Sequence, residues 1–220
     1  MATVFELTYP GTWLDLPDKD QAFKLSTQLH MSEGHFVDAA VSFNLFVAER
    51  SRSAMMVSQR TSEPDSDPNQ LPMQYQMRVI FIYGRSFVYA LDNLGRALKV
   101  LSEEPGVPTG LAAQVDSFYD AFPSLVGVRD TAHHPEDRGR GLDKKKKPLN
   151  LQPINNGLIS APNGGVLVLD SLNGNRYTCT MADGHLGEVE VSEKSVIVAQ
   201  DVLQNVLNAF KWRGPQRHVP

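Results

Sequence analysis

Between Leu125 and Lys147 the chain reads Leu-Val-Gly-Val-Arg129-Asp130-Thr-Ala-His133-His134-Pro-Glu-Asp137-Arg138-Gly-Arg140-Gly-Leu-Asp143, followed by four lysines. No other stretch gathers as many groups able to hold a phosphate or move a proton. Histidine titrates near neutrality, so both of its protonation states are accessible for acid and base work. Arginine keeps its charge and offers phosphoryl oxygens a planar fork of donors. Metal-free cleavage of RNA asks for groups of these kinds: one to take the 2′-hydroxyl proton, one to protonate the leaving 5′-oxygen, and a cation to hold the developing charge. Arg129 and His134 stand near one another if the helix that carries them ends or tightens there. Pro135 favours such an ending, because the residue before a proline avoids helical angles.

Seven basic and four acidic residues fall between Arg129 and Lys147, a local surplus of three on a chain whose formal net charge is −4. Arg138, Arg140, Lys144, Lys145, Lys146 and Lys147 are therefore the candidate contacts for a nucleic-acid backbone. Each feature also has a purely structural reading. Arg129 can pair with Asp130 or Glu136 as helix-end electrostatics, Glu136-Asp137-Arg138 fits a solvated charged turn, and a lysine run fits a solvated loop. His133 competes with His134 for the catalytic role or serves as a polar surface group. Asp92 and Asn93 break an otherwise apolar helical sweep, so one of them either faces this segment across a bundle or lies exposed. His35 has no metal-ligand spacing to His133 or His134, and no cofactor or metal is expected. The single cysteine, Cys179, excludes an intrachain disulfide and a cysteine zinc site, and its place in a strand suggests a packed thiol.

The elements that must position these residues are mostly helices. Thr3–Tyr9 is short and β-prone, Trp13–Pro17 reads as a packed loop, and a brief helix over Lys19–His30 follows. From Ser32, a plausible cap, a helical period runs to about Gln59 with Phe36, Ala40, Phe43, Val47 and Ala54 on one face, beside Ala39 and Phe46. Ser62–Asn69 is a polar, proline-bearing loop. Pro72 opens a long second helix, whose apolar residues from Met73 and Met77 through Ile80, Phe87 and Leu94 to Leu101 recur at steps of three and four. Pro105 ends it. A third helix from Thr109 carries Leu111, Val115, Phe118 and Phe122, and Pro123 interrupts it just before the motif. Short connections between such helices imply antiparallel neighbours.

Beyond Lys147 the character changes. Gly139–Pro153 is polar and turn-rich. Asn163-Gly164, Asn173-Gly174 and Asp183-Gly184 then punctuate β-prone runs at Val166–Leu169, Arg176–Thr180 and Glu188–Val191, the pattern of a small antiparallel meander. Ser192 caps a closing amphipathic helix with Val196, Val202, Leu203, Val206, Leu207 and Phe210. The tail from Gly214 is expected to fray. The fold class is thus α+β, mainly α: a helical bundle over 1–147, then a β-meander and C-terminal helix over 148–220 that pack on the bundle or at a dimer interface.

Hydrophobic content of 41% with 21% charged residues describes an ordinary globular chain. Met1-Ala-Thr-Val-Phe-Glu has neither a basic start nor an apolar run, so no secretory leader is expected. No stretch is apolar enough to span a bilayer. A cytoplasmic setting is the default.

The spacing Arg129–His134, with a polar residue directly after the arginine, resembles the R-x4–6-H motif of the HEPN superfamily. The likeness covers one motif and its helical setting. These are all-helical domains, many of them metal-independent RNases of toxin–antitoxin, phage-defence and RNA-processing systems, often with paired motifs facing across a dimer. The resemblance implies catalytic roles for Arg129, Asp130 and His134, RNA as substrate, a homodimer, and an antitoxin or other protein partner. Aspartate at position 130 departs from the asparagine or histidine commoner in active members, and it could repel phosphate or orient Arg129. Two readings follow: a HEPN-like endoribonuclease, or a non-catalytic helical protein that dimerises or binds a partner and uses the motif structurally.

Overall fold

The computed structural model describes residues 2–60 and 72–219, with the backbone alone over 56–60. The Ser62–Asn69 loop lies outside these residues. Among those described, the order is β1 (Leu7–Tyr9), β2 (Trp13–Leu14), α1 (Lys19–Arg60), α2 (Met73–Ser102), α3 (Leu111–Ala121), α4 (Leu125–His133), α5 (Pro135–Gly139), β3 (Ile154–Asn155), β4 (Ser160–Ala161), β5 (Ser171–Asn173), β6 (Arg176–Thr180), β7 (Leu186–Glu190), α6 (Glu193–Ala209), β8 (Trp212–Arg213) and β9 (Arg217–Val219). The chain is mainly α with small antiparallel sheets.

The brief first helix and the long one are continuous. α1 runs 42 residues, about 63 Å at the α-helical rise. Asp18 starts it by accepting from the amides of Asp20 and Gln21, as helix-capping carboxylates do. Ser32 is therefore not a cap. It is buried mid-helix, and its hydroxyl donates to the Gln28 carbonyl one turn back. The buried face of α1 is Leu25, Leu29, Phe36, Ala39, Phe43 and Phe46, while Val47 and Ala54 are exposed. α2 lies along α1 and buries Ile80, Phe87, Leu91, Leu94 and Leu98, but Met73 and Met77 at its start are exposed. Gly110, at a left-handed φ of 99°, stands where Thr109 was expected to cap α3. Pro123 separates α3 from α4, as its missing amide requires.

The meander has its hairpins at Asn173-Gly174 and Asp183-Gly184, pairing β5, β6 and β7 in order. At Gly184 the backbone is left-handed, with φ of 86°, and a Cβ would collide with the Asn150 carbonyl. Val166–Leu169 is not a strand. The amide of Val168 instead donates to Thr180 Oγ1, and its carbonyl accepts from the Thr180 amide. The first strand of the sheet is Ser171–Asn173, because the two-residue turn Gly174-Asn175 joins the paired Asn173 and Arg176 and fixes the register outward from them.

Ser192 caps α6, accepting from the Ser195 amide at 3.2 Å. The tail from Gly214 does not fray. β8 and β9 return to pair with β2 and β1, with Leu7 opposite Val219 and Tyr9 opposite Arg217. The inward row Leu7 and Tyr9 pays for that order by leaving only 1% of each residue exposed. One continuous core joins Phe36, Phe46, Leu94, Phe118 and Leu125 of the helices to Tyr177, Cys179 and Val189 of the sheet and to Leu203 and Leu207 of α6.

Candidate functional site

α4 packs its Leu125, Val128 and Ala132 into the core and turns Arg129 toward α2. Arg129 Nε donates to Asp92 Oδ2 at 2.8 Å, and its Nη1 lies 2.7 Å from Asp130 Oδ1. Only 14% of the arginine side chain is exposed. Of the two interrupting residues in α2, Asp92 is the one that faces the motif. Its side chain is 2% exposed and also meets Arg96 Nε at 2.7 Å, while Asn93 is exposed. Burial raises the Asp92 carboxyl above its ordinary range, against the lowering influence of Arg96. Asp130 completes the chain of charges by pairing its other oxygen with Lys144. Three cations and two carboxylates thus link α2, α4 and the lysine loop.

The two histidines diverge. His133 lies one turn after Arg129, the spacing that puts two side chains on one helix face. Its ring meets Tyr89 of α2 edge-on at 6.3 Å between centroids. His134 is the C-terminal cap of α4, and its Nδ1 sits 3.4 Å from Glu136 Oε1. Pro135 does end the helix there and starts α5. The histidine rings are perpendicular, 4.8 Å apart and both solvent-accessible. The structure gives no hydrogen bond between Arg129 and His134. The histidine on Arg129's own face is His133.

The candidate phosphate-binding cations are largely engaged elsewhere. Arg138 is 2% exposed, turned inward by the short α5, and donates to the Leu142 carbonyl and, at 3.4 Å, to Thr131 Oγ1. Among the described residues no carboxylate lies within ion-pair distance of it. Arg140 and Lys146 both hold Asp137, the first at 2.7 Å, and the Lys146 hydrogen bond chiefly lowers that carboxyl's pKa. Asp143 accepts from the amides of Lys145 and Lys147 at 2.7 and 2.8 Å, folding the lysine run into a compact turn. Lys145 and Lys147 themselves remain exposed.

Cys179 is fully buried, its thiol 3.6 Å from the Val128 carbonyl and pushed up to about 12 by burial. It is a packed thiol. Among the described residues no cluster of three or more histidine, cysteine or acidic side chains is arranged to hold a metal, and His35 sits on α1 beside Asp38. No helix described is long and apolar enough to cross a membrane. Sequence reasoning left open whether Asp92 or Asn93 faces the motif, and it missed the burial of Arg138. The break that Asp92 makes in an apolar helix was the visible signal for the first, and nothing in the residue pattern marked the second. Comparison with protein-family models, curated proteins and solved structures gives no match.

Proposed function

We propose that this chain works by binding another protein chain, and that the Arg129–His134 segment belongs to its framework. The observation that carries this is the double clamp on Arg129 by Asp92 and Asp130. A cation that stabilises a transferring phosphoryl group must offer its donors to solvent, and the one Arg129 nitrogen without a partner, Nη2, is buried. The group must also gain more from the phosphate than it loses inside the protein. Opening a buried ion pair to leave one charge alone costs about 3–5 kcal/mol. The inward Arg138 and the acid-paired Arg140, Lys144 and Lys146 point the same way. On the binding side, α1 and α2 expose Val41, Leu45, Met55, Tyr75 and Ile82.

One observation favours the second reading, a HEPN-like RNase. His133 and His134 stand accessible and adjacent, a pairing suited to acid–base work. The test is incubation of a mixed RNA pool in EDTA with wild type, Arg129→Ala, His133→Ala and His134→Ala. On the binding reading none of the four cuts above a protein-free control. Cutting by wild type that disappears in a folded His134→Ala or His133→Ala variant would establish the RNase instead.

A further inference from the structure

α1 carries apolar residues on the side that faces away from its own core. Phe36, Ala39, Phe43 and Phe46 fill the inner side, all at most 7% exposed. Val41, Leu45, Ala48, Arg52 and Met55 follow one another at alternating steps of four and three on the opposite side. That is the repeat of a coiled-coil seam, in which one helix packs against another. Val41 is 50%, Leu45 39% and Met55 65% exposed, so nothing among the described residues explains the repeat. The Arg52 side chain is 63% exposed and meets Glu49 through Nη1 alone, at 3.0 Å. Its remaining donors are available to a second carboxylate.

The charges select the occupant. Asp38 begins the seam with a side chain 72% exposed, and among the described residues its one ionic neighbour is His35, 3.9 Å away. Arg52 lies fourteen residues later, and Leu45 lies midway between the two. Two copies of the helix laid antiparallel about this midpoint bring each Arg52 to the other copy's Asp38. They also set Leu45 of one copy against Leu45 of the other and bring Ala48 of each beside the other copy's Val41. A parallel pairing would oppose like charges at both ends. We infer that the outward face of α1 is an antiparallel seam for a second copy of this chain.

This inference rests on the binding reading above and names its partner. A seam of two helices is at the small end of specific interfaces, so the pair dissociates on dilution. Light scattering across a concentration series tests it. The wild-type mass rises from 24.4 kDa toward twice that value with concentration. Leu45→Glu stays monomeric at every concentration with an unchanged thermal melt. Asp38→Arg and Arg52→Asp each weaken the pair about tenfold or more, since each sets like charges together. The double variant Asp38→Arg/Arg52→Asp regains wild-type association. A wild type that stays monomeric at about a tenfold excess over micromolar affinity, a dimer indifferent to Leu45→Glu, or a double variant no better than either single one overturns the seam. RNA cutting in EDTA is read separately, so failure of the seam and failure of the non-catalytic reading are told apart.

Discussion

At the scale of single residues, the decisive balance is around Asp92. Its carboxylate is almost wholly buried, and burial pushes its pKa up, yet it is held between Arg96 and Arg129. Removing one partner of such a group costs more than removing both, because a lone buried charge has neither water nor counter-ion. Arg129→Met should therefore lower stability, and Asp92→Ala should lower it by on the order of 3–5 kcal/mol. The double variant Asp92→Leu/Arg129→Met should recover a large part of that loss. Urea unfolding of the three variants reads the difference directly. Additive losses in the double variant would mean that the two residues do not act as a unit. Arg129 with Asp130 was legible from their adjacency alone. Arg129 with Asp92 was half legible, as a polar break in an apolar sweep. Arg138 was not legible, because its burial depends on how a five-residue helix is placed under the loop that follows it.

Elements with a strong period or a defined turn were the legible ones. α2 and α6 follow their apolar repeats closely, and the Asn173-Gly174 and Asp183-Gly184 turns lie where their left-handed glycines are needed. Ser192 at the head of α6 is a local signal that tertiary structure leaves intact. Ser192→Ala should cost about 1 kcal/mol, seen as a lower urea midpoint with an unchanged slope. Signals that depended on context failed. Ser32 looks like a cap only because apolar spacing is clearer after it than before it, and α1 passes through it without a break. Val166–Leu169 has the composition of a strand but meets Thr180 through isolated hydrogen bonds, just outside the hairpin register. Val47 and Ala54 keep the helical spacing of Phe36 and Phe43 but are exposed, because spacing alone does not mark where a buried face ends along a helix this long.

For the whole molecule, the least legible feature was the pairing of β1 with β9 and of β2 with β8. Pairings between distant segments have no local signature, and the strands involved are two or three residues long. They are nonetheless built into the core: Tyr9 stacks on His30, packs edge-on against Trp212 and donates to Glu33 at 2.6 Å. Deleting residues 215–220 should uncover Leu7 and Tyr9 and lower the melting temperature by several degrees, since about 1 kcal/mol shifts a domain of this size by roughly 2–4 °C. Calorimetry of the shortened chain measures it. The same closure has a consequence in time. Synthesis delivers Leu7 more than two hundred residues before Val219, the partner opposite it in the ladder. β1 must wait on the ribosome with an unsatisfied edge until β9 has emerged. A chain joined so late is exposed to mispairing while it is being made. A circular permutant that links residue 219 directly to residue 3 would make these two strands neighbours in sequence, and would shorten that wait from most of the chain to one turn.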